Sequence, residues 1–287
     1  MDQNKPISIK EVLNHASGKL AAVTNRPRLE AELLLAHLLE HSRVFFHAHP
    51  EMLLTPAQAE DYVSLVQRRA SHEPLPYITG HIEFYGRKFV VTPDVLIPRP
   101  ETELLVERAL AWIEPQKVVR AVDVGTGSGC IAVTLAAEAP ALRIVATDLS
   151  ANALRVARSN ARRHSVENRI RSVQADLLRA LSGPFDLIVS NPPYVARDEW
   201  NALPTSVRQE PSLALLAGPE GLDAIHRLLA QAKTMLRSGG LLLMEIGETQ
   251  GDAVRVLARD IFPQADVHIL KDLAKKDRLL SVMRQQS

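Results

Sequence analysis

Strand-like and helix-like segments alternate through the C-terminal part of the chain, and this alternation constrains the fold more than any other feature. Short apolar runs predict strands at 121–124, 143–147, 170–174, 186–190 and 241–246, and amphipathic segments lie between them. Two further runs, at 267–270 and 279–283, predict a closing pair of strands. Strands that alternate with helices form mostly parallel sheets with helices on both faces. We therefore expect an α/β fold for this region.

The N-terminal region has the pattern of a small helical domain. Ser8 followed by Glu11, and Thr55 followed by Gln58, have the spacing of capping boxes at the starts of helices. Leucines between them recur at intervals that predict one face of a helix: Leu29, Leu33, Leu34, Leu38 and Leu39. We predict a helical domain over 1–75, with a role in docking or orienting a substrate.

A change of composition separates this helical domain from the α/β region. Prolines, glycines and β-forming residues are concentrated at 76–100, which predicts a hairpin linker with Gly86 near its turn. The α/β domain is then predicted over 101–287.

Charge and hydropathy exclude several classes of protein. The chain has 34 basic and 33 acidic residues, a net charge of +1, so no overall positive field attracts a nucleic acid. Its apolar runs are shorter than the roughly 18 residues that span a bilayer, and no signal-peptide pattern opens the chain. We expect a cytoplasmic protein without a membrane segment. The single cysteine, Cys130, is expected to have a packing role.

A glycine-rich loop follows the first predicted strand of the α/β domain and precedes a helix. It consists of Gly125, Thr126, Gly127, Ser128 and Gly129. Glycines allow the backbone to turn sharply and to approach a ligand at a helix N-terminus. The dinucleotide fingerprint needs a further glycine at position 130, where this chain has cysteine. The loop therefore predicts a nucleotide-type cofactor, although a plain strand-to-helix turn is the alternative.

Acidic residues end the next two predicted strands. Asp148 stands where a carboxylate accepts hydrogen bonds from both ribose hydroxyls, and capping of the following helix is its alternative role. Asp176 stands where a carboxylate meets an adenine amino group, and Leu177 beside it is placed to cover the ring. A glycine loop and two acids at successive strand ends together predict an adenosine-containing ligand. Both S-adenosylmethionine (SAM) and NAD contain adenosine.

The sequence Asn191-Pro192-Pro193-Tyr194 follows the fourth predicted strand and indicates the chemistry. An amide or exocyclic amine nitrogen is planar and a weak nucleophile, so it must be positioned. The Asn191 oxygen and the Pro192 carbonyl are suited to accept its two N–H groups, with proline fixing their geometry. Tyr194 is suited to stack on the planar group. Catalysis then rests on positioning and electrostatics, without a strong general base.

With these motifs in place, the chain resembles the release factor glutamine methyltransferase family. The resemblance extends over nearly the full length and rests on the helical N-terminal domain and on short motifs: Ile97-Pro-Arg-Pro-Glu-Thr-Glu103, Gly125 to Gly129, Asn191 to Tyr194, Glu210-Pro211, and Leu243-Met-Glu-Ile-Gly247 with Gln250. It implies a Rossmann-like, SAM-dependent methyltransferase domain. Its implied substrate is the glutamine in the Gly-Gly-Gln loop of class I peptide-chain release factors.

The resemblance also implies roles for particular residues. Gly125 to Gly129, Asp148, Leu177 and Asn191 would contact SAM. Asn191, Pro192, Pro193 and Tyr194 would hold the glutamine, and Arg99 and Glu101 would form a wall of the active site. No metal is expected.

Two other functions are compatible with parts of the sequence. One is methylation of adenine or cytosine amino groups in DNA. The enzymes that catalyse it share the Asn-Pro-Pro-Tyr motif but require base flipping and a basic groove. The other is an NAD-dependent oxidoreductase, or a SAM-binding module without catalysis. Hydride transfer has no use for Asn191 to Tyr194, which disfavours the oxidoreductase.

Overall fold

The computed structural model describes residues 7–114 and 120–285. Small parts of the predicted helical and α/β domains therefore lie outside the described residues, namely 1–6, 115–119 and 286–287. The chain divides into two compact units. The first consists of Met1–Gly80 with Pro204–Gln209, and the second of His81–Leu203 with Glu210–Ser287.

The first unit is built mainly from helices. Its elements are β1 (Ile7–Ser8), α1 (Ile9–Leu20), α2 (Pro27–Leu39), α3 (Arg43–Ala48), β2 (Leu53–Leu54), α4 (Pro56–Ala70) and α5 (Leu75–Thr79), and β1 pairs with β2 in an antiparallel manner. Both predicted capping boxes are confirmed, at the starts of α1 and α4. Each satisfies backbone N–H groups that have no partner within the helix.

Helix α2 buries a stripe that coincides only in part with the one that its leucines predict. Its most buried residues are Ala31, Glu32, Leu34 and Leu35, whereas Leu29, Leu33, Leu38 and Leu39 are only half-buried. Glu32 is 1% exposed because Arg28 and Arg43 donate hydrogen bonds to its two carboxylate oxygens, at 2.8 and 2.6 Å. A buried carboxylate needs such partners. The leucine spacing could not reveal them.

The second unit begins with a hairpin and continues as an α/β domain. Its strands are β3 (His81–Phe84), β4 (Arg87–Val90), β5 (Arg120–Val124), β6 (Arg143–Asp148), β7 (Ile170–Gln174), β8 (Phe185–Ser190), β9 (Leu236–Glu245), β10 (Asp266–Lys271) and β11 (Asp277–Met283). Its helices are α6 (Glu103–Ile113), α7 (Cys130–Glu138), α8 (Ala151–Arg163), α9 (Asp223–Met235) and α10 (Gly251–Ile261). Strands β3 and β4 pair around a turn that contains Gly86.

The central sheet has seven strands in the order β10-β11-β9-β8-β5-β6-β7. The pairs from β9 to β7 are parallel, and β11 is antiparallel to both of its neighbours. The chain runs from β5 outward to β6 and β7, and then returns to β8 on the other side of β5. Such a reversal of strand order opens a crevice at the carboxyl ends of the strands.

Alternate residues of each central strand enter two different cores. On β9, Leu241 and Leu243 pack with residues of α6 and α7, whereas Leu242 and Met244 pack with residues of α9 and α10. This period of two is the pleat of a strand that is covered on both faces. Within the described residues, no helix combines the length and the apolar character needed to cross a membrane.

Candidate active site

A cavity of about 360 Å³ lies at the carboxyl ends of β5, β6, β7 and β8. Nine of the residues predicted for the site line it: Gly125, Thr126, Gly127, Ser128, Asp148, Asp176, Leu177, Asn191 and Pro193. The other predicted residues, Gly129, Pro192, Tyr194, Arg99 and Glu101, are not among its lining residues. The strand order thus brings three separate motifs to one crevice.

The glycine loop forms the part of the wall that follows β5. Gly125 and Gly127 have φ angles of 71° and 55°, a region that L side chains rarely adopt. An added Cβ at either glycine would meet no atom within 4 Å, so it would project into open space. The Thr126 N–H donates to the Thr147 carbonyl at 2.8 Å, which ties the loop to β6. The shape of this wall therefore leaves room for a ligand against the backbone.

Gly129 has a packing position. Its N–H donates to the Thr126 carbonyl, and an added Cβ would lie 3.1 Å from the Cα and the Cβ of Ala157 on α8. Beside it, the buried side chain of Asn160 donates to the carbonyls of Ser128 and Val90 and accepts from the Val90 N–H. Gly129 and Asn160 together hold the loop against α8. Asn160 could not be predicted from the sequence, because a helical asparagine has no motif of its own.

Asp148 ends β6 and is tied to the loop. Its carboxylate accepts from the Gly127 N–H at 2.9 Å and from the Ser150 N–H at 2.8 Å. Ser150 itself caps α8, since its hydroxyl accepts from the Ala153 N–H. Burial raises the pKa of Asp148 above its ordinary value. The carboxylate lines the cavity in a fixed orientation, as a ligand for ribose hydroxyls would require.

Asp176 and Leu177 follow β7 and form the far wall. Asp176 forms an ion pair with Arg227 of α9, which also lines the cavity and was not identified from the sequence. Leu177 has a φ angle of 56°, an uncommon conformation for a residue other than glycine. Strained backbone of this kind is concentrated at functional sites.

Asn191 follows β8 and is held by a chain of hydrogen bonds. Its Nδ2 donates to Thr102 Oγ1 at 3.2 Å, and Thr102 Oγ1 donates to Glu245 Oε2 at 2.7 Å. In the part of the chain that the structure describes, Asn191 Oδ1 accepts no hydrogen bond from the protein. Burial raises the pKa of Glu245, which is 1% exposed.

Tyr194 is anchored at both its side chain and its backbone. Its hydroxyl donates to Glu245 Oε1 at 3.3 Å, and its ring packs against the core beneath α9 and α10. Its carbonyl accepts from Gln250 Nε2 at 3.0 Å, and Gln250 also bonds the backbone of Gly221 and Gly247. The ring is therefore fixed beside the cavity.

Arg99 pairs with Glu210. Its guanidinium donates to Glu210 Oε1 at 2.5 Å, and Glu210 Oε2 accepts from the Ile97 N–H at 3.0 Å. Glu210 is 4% exposed, so this pair joins two of the resembling motifs in the interior. Glu101, two residues along the chain, is exposed.

Asp123 precedes the glycine loop and is fully buried. Its Oδ2 accepts from the Thr126 hydroxyl at 2.6 Å and from the Ala132 N–H at 3.2 Å, while Oδ1 has no partner among the described residues. Burial raises the pKa of Asp123 to about 7. Asp123, Thr102 and Glu245 were not predicted from the sequence to have roles in the site. All three stand inside or beside the quoted motifs, which was the available signal.

Solved structures with the same fold include methyltransferases. The METTL16 catalytic domain in complex with MAT2A 3′UTR hairpin 1 superposes with a TM-score of 0.56, at 17% identity, over 89% of this chain and 93% of that one. A T. thermophilus 16S rRNA methyltransferase in complex with AdoMet and guanosine gives 0.53, at 17% identity, over 71% and 50%. The Rossmann-like fold expected from the sequence is confirmed. With the glycine loop and the Asn-Pro-Pro-Tyr turn at one crevice, this fold defines a SAM-dependent methyltransferase.

Sequence relatives identify the kind of methyltransferase. Residues 11–80 match the PrmC N-terminal domain, and residues 101–207 match the methyltransferase small domain. A release factor glutamine methyltransferase of Moorella thermoacetica is 43% identical over 98% of this chain and all of its own length. One from Chlorobaculum tepidum is 42% identical over 99% of this chain and all of its own length. The chain belongs to the release factor glutamine methyltransferase family.

Proposed function

We propose that this protein transfers a methyl group from SAM to the side-chain amide nitrogen of the glutamine in the Gly-Gly-Gln motif of class I peptide-chain release factors. The observation that carries the proposal is the orientation of Asn191. Its Nδ2 is engaged by Thr102, so its Oδ1 is the atom available to accept an N–H from a substrate. The names of the relatives in two bacteria agree with this substrate.

An amide nitrogen is a weak nucleophile, so the protein acts mainly by positioning it. Asn191 Oδ1 and the Pro192 carbonyl accept the two N–H groups of the glutamine amide, and Pro193 and Tyr194 bound the same turn. Accepting both hydrogens fixes the plane of the amide and increases electron density on its nitrogen. SAM supplies a methyl group on a positively charged sulfur. Because the nitrogen becomes acidic once it is methylated, its proton is lost without a strong base.

The cofactor is assigned to the walls of the cavity. Asp148 binds the ribose hydroxyls, and Leu177 covers the adenine, with Asp176 beside it. The loop from Gly125 to Ser128 lies against the rest of SAM, where the absence of Cβ atoms at Gly125 and Gly127 leaves space. The fit is supported by the three walls that enclose this cavity, which follow β5, β6 and β7.

The remaining assignments concern the substrate. Arg99 and Glu101 border the release factor, with Arg99 held in place by Glu210. The helical domain at 1–75 orients the release factor, and the catalytic domain at 101–287 transfers the methyl group. The hairpin linker at 76–100 joins them. Release factors act in the cytoplasm, where we place this enzyme. Its near-neutral charge gives no basis for stable nucleic-acid binding.

The test is incubation of a purified class I release factor with the protein and SAM, followed by intact-mass measurement and peptide mapping. We expect one added methyl group on the Gly-Gly-Gln peptide. Duplex DNA is the parallel substrate, because the Asn-Pro-Pro-Tyr motif also serves amino-group DNA methylation. Methyl incorporation into DNA and none into the release factor would overturn the proposal.

A further inference from the structure

Thr102 and Glu245 connect two regions of the second unit that are far apart in sequence. Glu245 ends β9, and Thr102 lies 143 residues earlier, just before α6. Both are buried, since Glu245 is 1% exposed and Thr102 is 2% exposed. Thr102 also lines the cavity. Buried polar groups of this kind are stable only when their hydrogen bonds are complete.

The hydroxyl groups of Thr102 and Tyr194, the donors to Glu245, give this series of hydrogen bonds its direction. A carboxylate only accepts, so both the Thr102 hydroxyl and the Tyr194 hydroxyl donate to it. Because the Thr102 hydroxyl proton is donated to Glu245, the Thr102 oxygen can only accept a hydrogen bond from Asn191. Of the two ends of the Asn191 amide, only the Nδ2 end donates, so that end faces Thr102 at 3.2 Å. The Oδ1 end is left for the substrate.

The surroundings of Glu245 bear on its ionisation in opposite directions. Burial and the charge of Glu101 favour the protonated acid, while Arg278 and the hydrogen bonds from Thr102 and Tyr194 favour the carboxylate. Arg278 is itself held near Asp272, at 3.4 Å. Burial is the largest of these effects, so the pKa of Glu245 is raised, and Arg278 with the two donated hydrogen bonds stabilises its carboxylate form.

We infer that Glu245 and Thr102 are positioning residues for methyl transfer: through their hydrogen bonds they select the orientation of the Asn191 amide that presents Oδ1, and not Nδ2, to the acceptor nitrogen. The inference deepens the proposed function and rests on it. A reversed amide would direct two N–H groups at the N–H groups of the substrate. Most of the residues assigned to SAM lie on other walls of the cavity, so this choice affects the acceptor more than the cofactor.

Substitutions at Thr102 separate this role from packing. Thr102→Val keeps the shape but cannot accept from Asn191, whereas Thr102→Ser keeps the hydroxyl. We expect Thr102→Val to lower the single-turnover rate of release factor methylation at saturating SAM by about tenfold or more. Thr102→Ser should retain a rate within about threefold of wild type, and calorimetry should find the Kd for SAM within about threefold in both.

Glu245→Gln tests the direction of the hydrogen bonds from Asn191 through Thr102 to residue 245. The Gln amide can donate to Thr102, which frees the Thr102 hydroxyl to donate to Asn191 and favours the reversed Asn191 amide. We expect a loss of rate of about tenfold or more, again with nearly unchanged SAM affinity. The matched control is Thr134→Val, because Thr134 is buried in α7 and its hydroxyl has no partner among the described residues. It should methylate at the wild-type rate.

The outcomes separate the inference from the proposed function. If Asn191→Ala abolishes methylation while Thr102→Val retains the wild-type rate, the proposed function stands and the positioning role is overturned. A Thr102→Ser variant as slow as Thr102→Val would also overturn it, since the hydroxyl would then not be the cause. Thermal melting with SAM titration checks that each variant is folded. If Glu245→Gln does not fold, the rates of Thr102→Val and Thr102→Ser decide whether the positioning role holds. A wild-type protein that leaves release factor unmodified overturns both.

Discussion

Asp123 is a fully buried carboxyl group with one oxygen that has no partner among the described residues. Its pKa of about 7 in the folded protein exceeds the value of 3.8 expected for an exposed aspartate. Between these two values the folded state binds more protons than the unfolded state. Stability from this group is therefore present at low pH and is lost as pH rises towards 7. Because Oδ2 accepts both hydrogen bonds, the proton of the neutral acid is expected on Oδ1, the oxygen without a partner among the described residues.

Replacing Asp123 by asparagine should remove this pH dependence. Asparagine keeps an oxygen for Thr126 and Ala132 and carries no charge. We expect the free energy of unfolding of Asp123→Asn, relative to wild type, to increase as pH rises from about 4 to about 7. Urea unfolding at several pH values measures this difference. A difference that stays constant over the window would contradict the raised pKa.

Asp148 provides the test of cofactor binding at the residue scale. Asp148→Ala removes the charged acceptor assigned to the ribose hydroxyls and frees the N–H groups of Gly127 and Ser150. We expect SAM binding to weaken by about 1–3 kcal/mol. Calorimetric titration measures it, and Asp94→Ala, another carboxylate on the cavity wall without these bonds, is the comparison. An unchanged Kd for SAM in Asp148→Ala would rule out the ribose role.

At the scale of elements, the loops after β8 and β9 hold the Asn-Pro-Pro-Tyr turn. Gly221, in the segment before α9, has a φ angle of 72°, and an added Cβ would lie 2.3 Å from the Tyr194 carbonyl. It would also lie 2.9 Å from Gln250 Nε2, the donor to that carbonyl. Tyr194 and Gly221 therefore approach as closely as only glycine permits.

Gly221→Ala should displace this turn and lower methylation of release factor more than it lowers SAM affinity. The reason is that Tyr194 follows the residues that hold the substrate amide, whereas the glycine loop is untouched. Gly86→Ala is the matched control, because Gly86 has a similar φ of 67° but its added Cβ meets no atom within 4 Å. Comparing rates and Kd values for both variants separates steric displacement from backbone strain. Equal effects of the two substitutions would contradict the steric account.

At the scale of the whole molecule, all residues that line the cavity belong to the second unit. We expect a protein that lacks 1–75 to bind SAM with a Kd within about twofold of the full chain. Methylation of intact release factor should fall, while a short peptide with the Gly-Gly-Gln motif should be methylated at a similar rate by both proteins. The SAM titration shows whether the truncated protein is folded. Normal methylation of intact release factor would disprove the orienting role of the helical domain.

Local patterns in the sequence determined the helical caps, the succession of strands and helices, and the motifs at the strand ends. These features depend on residues within a few positions of one another. Capping boxes and strand pleats have short periods, and the glycine loop and Asn-Pro-Pro-Tyr turn are continuous in the chain. Asp148, Asp176 and Asn191 could be placed at one sheet edge for the same reason, since carboxyl ends of parallel strands share an edge.

Only the tertiary structure decided which of these groups contact one another. Glu32 is buried in α2 because two arginines bond it, and Arg99 is engaged by Glu210, 111 residues away. Thr102 and Glu245 meet because the segment before α6 lies against the end of β9, although 143 residues separate them in the chain. No short-range spacing encodes such pairs, since they follow from the order of the strands and from the need of buried polar groups for partners.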